Sequence, residues 1–108
     1  MEQRTEILEY EFPGRGDSAA APPVLVGVVG SGNLEVLLET SPLAGICKVA
    51  VNTSARGFGN IWEAVLQDFF NRHALSNVTI SINDMGATPA VVSLRLDQAV
   101  EEFQREAT

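Results

Sequence analysis

Apolar residues along the chain follow two rhythms. Between Thr5 and Phe12 they alternate, with Leu8, Tyr10 and Phe12 on one side and Ile7, Glu9 and Glu11 on the other, which predicts a half-buried strand. Val24 to Val29 and Leu34 to Thr40 are β-prone runs joined by Gly30-Ser31-Gly32-Asn33, a composition suited to a hairpin loop that needs positive φ angles. After the turn Ser41-Pro42-Leu43-Ala44-Gly45, Ile46 to Thr53 alternates again and sets Cys47, Val49 and Val51 on a core face opposite Lys48 and Asn52. From Asn60 to His73 the period becomes helical. Ile61, Val65, Leu66, Phe69 and Phe70 form an apolar stripe, and Glu63, Gln67, Asp68, Asn71 and Arg72 form the wet side. Val78, Ile80 and Ile82 predict a further strand closed by Asn83-Asp84-Met85-Gly86; Val92, Leu94 and Leu96 predict a last one. Asp97 then caps a short helix bearing Val100 and Phe103.

The resulting expectation is an α+β fold, with an antiparallel or mixed sheet of about six strands and both the main helix and the short C-terminal helix packed on one face. A length of 108 residues suits one domain spanning the whole chain, and 45% apolar with 19% charged residues is a composition that folds. Pro13 to Pro23, rich in Pro, Gly and Ala, reads as a mobile loop without an apolar face to anchor it. No internal repeat is visible.

Charge narrows the range of partners. Seven Lys and Arg against fourteen Asp and Glu leave a net charge of −7, which disfavours nucleic acid and anionic membranes and favours basic protein surfaces. The longest apolar run, Pro22 to Gly30, is about half the roughly 20 residues that span a bilayer, and no leader pattern opens the chain, so a cytoplasmic location is expected. Cys47 is the single cysteine, which argues against a disulfide scaffold and against a zinc module.

Candidate chemistry is sparse. His73, the one histidine, has no serine, cysteine or acid at triad spacing; a stand-alone hydrolase would have to bring it to Cys47, whose alternation points into the core. Ser31 lies between glycines, but a nucleophile elbow needs Gly two residues either side, where Val29 and Asn33 stand. Gly30-Ser31-Gly32-Asn33-Leu34-Glu35 also lacks the third glycine of a dinucleotide fingerprint and is followed by a strand pattern. What remains is a serine hydroxyl on a projecting loop whose neighbours have no side chains to block a modifying enzyme or a bulky adduct. Asp17-Ser18 resembles the Asp-Ser pair of helical carrier proteins without their following helix, and Arg15-Gly16-Asp17 reads as a chance integrin-type tripeptide. Arg56-Gly57-Phe58-Gly59 precedes the main helix, where free N–H groups and an arginine could bind an anion, although a glycine-rich entry turn is the favoured account.

Three separated segments, in order, resemble the acyl carrier or delta subunits of malonate decarboxylase. They are Val28-Val29-Gly30-Ser31-Gly32-Asn33-Leu34-Glu35-Val36-Leu37, Ala55-Arg56-Gly57-Phe58-Gly59-Asn60-Ile61-Trp62, and Ile82 to Leu96; Asn83-Asp84-x-Gly86-Ala87 also resembles the citrate lyase carrier subunit. The resemblance runs from about Val24 to Phe103. It implies that Ser31 carries 2'-(5''-phosphoribosyl)-3'-dephospho-CoA in phosphodiester linkage, with Gly30, Gly32, Asn33, Arg56 and Gly57 as contacts to that group or to partners. It further implies acetyl and malonyl thioesters on the terminal thiol. The chain itself would be a non-catalytic carrier that binds no metal. Its partners would be the acyl-carrier transferase and decarboxylase subunits, a prosthetic-group transferase and a malonyl transferase. The other class of reading is a noncovalent scaffold or ligand-sensing subunit in which residues 30–33 are only a turn.

Overall fold

The structure, a computed structural model, describes residues 5–16 and 18–107. Five strands form one mixed sheet: β1 (Glu6–Phe12), β2 (Val24–Gly27), β3 (Leu34–Thr40), β4 (Cys47–Thr53) and β5 (Val78–Asp84). Two helices complete the fold, α1 (Gly59–Arg72) and α2 (Pro89–Glu106). The spatial order is β1-β4-β5-β3-β2. Only β4 and β5 run parallel, because α1 carries the chain back between them; the other neighbours pair antiparallel.

Strand alternation decides which face becomes the core. Ile80 sits beside Val49 on one flank and Leu38 on the other, and Ile82 beside Val51 and Val36, so the central strands bury rows of branched side chains. Leu66, Phe69, Leu96, Val100 and Phe103 of the helices close over those rows. Burying each such side chain is worth about 1.5–3 kcal/mol. At the open end of the helix pair, Arg72 Nη1 donates to Asp97 Oδ1 at 2.8 Å and His73 Nε2 lies 2.9 Å from the same oxygen. No helix among the described residues is long and apolar enough to cross a membrane.

The α+β class, the single domain and the placement of the core agree with the expectation; the strand count does not. Val92, Leu94 and Leu96 belong to α2, an 18-residue helix, so the sixth strand and the short C-terminal helix are one element. Val92, Leu96, Ala99, Val100 and Phe103 are its buried face, while Leu94, whose alternation suggested a strand, is 52% exposed. The helix starts where Thr88 accepts the Val91 N–H and Pro89 fills the first turn, a position that loses no hydrogen bond. Val28 and Val29, expected to end β2, lie beyond it and are exposed, so the hairpin connection is longer than four residues. In α1, Trp62 is buried and Ile61 is exposed, which rotates the apolar stripe slightly from the expected one.

Segment 13–23 carries anchors that its composition did not signal. Arg15 Nη2 donates to the carbonyls of Phe70 and Asn71 at the end of α1, and its backbone N–H donates to Leu75. Ser18 Oγ accepts the Ser76 N–H at 2.9 Å. Asp17 lies outside the described residues, and with it the Asp17-Ser18 pair and the Arg15-Gly16-Asp17 tripeptide as whole motifs.

Candidate functional site

The β2–β3 connection projects Gly30-Ser31-Gly32-Asn33 from one end of the sheet, with Ser31 exposed. Its backbone is nevertheless fixed. The Asn33 N–H donates to the Gly30 carbonyl at 2.9 Å, the Gly32 N–H to Met85 at 2.7 Å, and the Met85 N–H returns to the Asn33 carbonyl at 3.0 Å. The loop is thus clamped to the turn that follows β5. Gly32 takes φ +71°, a left-handed conformation that side chains rarely adopt, and a Cβ at Gly30 or Gly32 would meet nothing within 4 Å. The Ser31 hydroxyl makes no hydrogen bond to any described residue.

Asn33 gives the loop its second support. Its Oδ1 accepts the Leu34 N–H at 2.8 Å and Arg95 Nε at 3.3 Å, the latter reaching over from α2. Sequence reasoning missed Arg95 as part of this site. It stands 62 positions from Asn33, and the strand reading of Val92 to Leu96 hid the helix that delivers it.

The Met85 turn is shaped by buried Asp84. Its Oδ2 accepts the Thr53 hydroxyl at 2.8 Å and the Gly86 N–H at 3.1 Å, and its Oδ1 accepts the Ala87 N–H at 3.0 Å. The Asp84 carbonyl also takes the Ser54 N–H, which binds the turn to the segment leading toward α1. Val29, Ser54, Asn83, Asp84 and Met85 line a shallow cleft of about 180 Å³ that joins the two regions. A second, apolar cleft of about 250 Å³ opens between the starts of the helices, lined by Phe58, Ile61, Trp62, Ala87 and Pro89 among others.

Arg56 and Gly57 lie exposed before α1, whose first turn has neither an acidic residue nor a side-chain cap. The Gly57 N–H already donates to Glu6 Oε1 at 3.1 Å, so that group is occupied, while Arg56 has no partner among the described residues. No hydrogen bond links either residue to the 30–33 loop. Cys47 and His73 do not form a nucleophile–base pair: the Cys47 thiol is buried and donates to the Leu75 carbonyl, and His73 faces Asp97. Among the described residues no cluster of three or more His, Cys, Asp or Glu side chains could hold a metal.

This arrangement offers an exposed hydroxyl oxygen on a hydrogen-bonded loop, with no described residue positioned to activate it. A family model described as malonate decarboxylase delta subunit (MdcD), an acyl carrier protein, matches residues 21–103. The chain belongs to that family. The malonate decarboxylase acyl carrier protein of Burkholderia cepacia is 68% identical over 97 residues, which cover 90% of this chain and 89% of that one. Its counterpart in Xanthomonas campestris pv. campestris (strain B100) is 59% identical over 100 residues, covering 92% and 95%. Among solved structures, a chain in the crystal structure of a Pseudomonas malonate decarboxylase hetero-tetramer in complex with malonate matches with a TM-score of 0.80 and 41% identity, covering 91% of this chain and 98% of that chain. The resemblance carried by the Ser31, Arg56 and Asp84 segments therefore extends over most of the malonate decarboxylase delta-subunit fold.

Proposed function

We propose that this chain is the non-catalytic acyl carrier subunit of a malonate decarboxylase and that Ser31 Oγ is the attachment point of 2'-(5''-phosphoribosyl)-3'-dephospho-CoA. The observation that carries the reading is an exposed hydroxyl with no hydrogen bond, held on a loop whose backbone is clamped on both sides by Met85. The surroundings fit a large adduct, because the space above Gly30 and Gly32 is open. When bound, that group supplies a terminal thiol on which acetyl and malonyl travel as thioesters. Everything the chain's own residues do is presentation. Gly30 and Gly32 leave the hydroxyl accessible, Asn33 and Met85 fix the loop, and the sheet gives it a rigid base. Gly57 is a poor candidate for direct contact with the group, since Glu6 holds its N–H; Arg56 remains free to meet the group or a partner.

The chemistry of acyl exchange and decarboxylation falls to partner subunits: an acyl-carrier transferase, a decarboxylase, and the enzymes that load the prosthetic group and malonyl. Net charge of −7 suits reversible docking on basic surfaces of such partners, and tethering raises the effective concentration of the acyl group at each.

The test is intact mass and peptide mapping of wild type, Ser18→Ala and Ser31→Ala after coexpression with the cognate modifying enzymes. Ser31→Ala should stay bare and lose malonate turnover in the reconstituted complex, while its stability changes by less than about 0.5 kcal/mol. Ser18→Ala should still be modified; it loses the bond to Ser76 and about 1 kcal/mol of stability. An adduct on Ser31→Ala overturns the assignment, and bare wild-type protein favours a noncovalent scaffold.

A further inference from the structure

The cations of this acidic chain are not all neutralised in the same way. Lys48 pairs with Glu11, Arg72 with Asp68 and Asp97, and Arg105 with Glu101 and Glu102. Arg95 differs. Its Nε donates to the Asn33 amide oxygen at 3.3 Å and its Nη1 to the Gln98 amide oxygen at 2.9 Å, both neutral acceptors, and its Nη2 has no acceptor among the described residues. The side chain is half-buried, and its Cδ passes 3.5 Å from where a Cβ would stand on Gly27, at the end of β2. A guanidinium held in place by amides keeps its full charge and part of its donor fork for an anion.

Its location makes the anion specific. Asn33 is two residues from Ser31, so their Cα atoms are at most about 7.5 Å apart, and the guanidinium sits against Asn33. We propose that Arg95 is the phosphate-binding residue of the carrier site, contacting the phosphodiester that joins the prosthetic group to Ser31. This rests on the attachment reading above and adds to it a ligand contact from α2. Its consequence is mechanical: modification ties the loop to the helix through a charge-assisted bond, so the root of the tethered arm points along α2 and is not free to swing on the loop.

The experiment compares thermal midpoints of the unmodified and fully modified forms of wild type, Arg95→Gln and Arg95→Lys, each with the adduct mapped to Ser31. In wild type, modification should raise the midpoint, on the order of 3 °C for a domain of this size. In Arg95→Gln the rise should vanish, and in Arg95→Lys part of it should survive. A purely structural role for Arg95 lowers both forms equally and leaves the rise unchanged, which overturns the proposal. Should Arg95→Gln fail to fold or to accept the group, the wild type alone decides. The Arg95 Nε–H resonance must shift between unmodified and modified protein, and an unshifted resonance overturns the proposal. An adduct that maps away from Ser31 instead defeats the attachment reading, a separate and distinguishable failure.

Discussion

Thr53 donates its hydroxyl to Asp84 at 2.8 Å where the two parallel strands end side by side, and both residues are buried. The Thr53 oxygen also accepts the Ala55 N–H, and the Asp84 carboxylate takes two N–H groups of its own turn. Together with the Ser54 N–H to Asp84 carbonyl bond, this hydroxyl–carboxylate contact holds the loop leading to α1 against the loop that clamps Ser31. Asp84→Ala should cost about 2–4 kcal/mol, because it removes three hydrogen bonds, one buried and two part-buried, and Thr53→Val should cost less, about 1–2 kcal/mol. Urea unfolding of the two variants checks this ranking, and a fully stable Asp84→Ala contradicts it.

Gly86, two residues beyond Asp84, has φ +81° and open space where a Cβ would go. The cost of a side chain there is backbone strain alone, since nothing crowds it. Gly86→Val should lose at least about 1–2 kcal/mol, and Gly86→Asn should recover much of that, because Asn tolerates the left-handed region. Equal stability of the two variants speaks against the strain account.

What the sequence made legible was local. Alternation placed Cys47, Val49, Val51, Val78, Ile80 and Ile82 on the core face, and Gly86 takes the expected positive φ, although Asn83 and Asp84 still belong to β5 and the turn begins only at Met85. Alternation also misled at Val92, Leu94 and Leu96, since apolar residues two apart fit a strand and a helix alike over so short a run. Thr88-Pro89 was the signal that separates the two readings, a cap followed by a residue suited to the first turn. Ser31 was accessible from its glycine neighbours and the family resemblance. Its supports, Met85 and Arg95, arrive through sheet order and helix packing, which no spacing along the chain encodes.

Burial pushes the Cys47 thiol up from its ordinary value. As pH rises, the unfolded chain therefore loses this proton before the folded one does, and folding is penalised from the ordinary thiol value of 9.0 upward. Below that range the group contributes no pH dependence. Cys47→Ala should cost about 1–2 kcal/mol at neutral pH and flatten the loss of stability as pH climbs past about 9. Tyr10, also raised chiefly by burial, adds a similar decline at higher pH that the variant retains. Unfolding midpoints across that range, together with slow thiol labelling of the native protein, test both statements. Fast labelling contradicts the buried placement.

The central strand β5 is contributed by residues 78–84, and the serine loop's supports lie beyond it at Met85 and Arg95. A ribosome that has just released Ser31 has exposed a hairpin with neither its neighbouring strand nor its clamp, and an isolated two-stranded hairpin is marginal in water. The loop takes its shape only after most of the chain has been synthesised and the non-local strand pairing, slower than local contacts, is complete. The shape of the serine loop thus doubles as a report on completed folding: a truncated or misfolded chain contains the serine and its glycines but cannot present them in the clamped form.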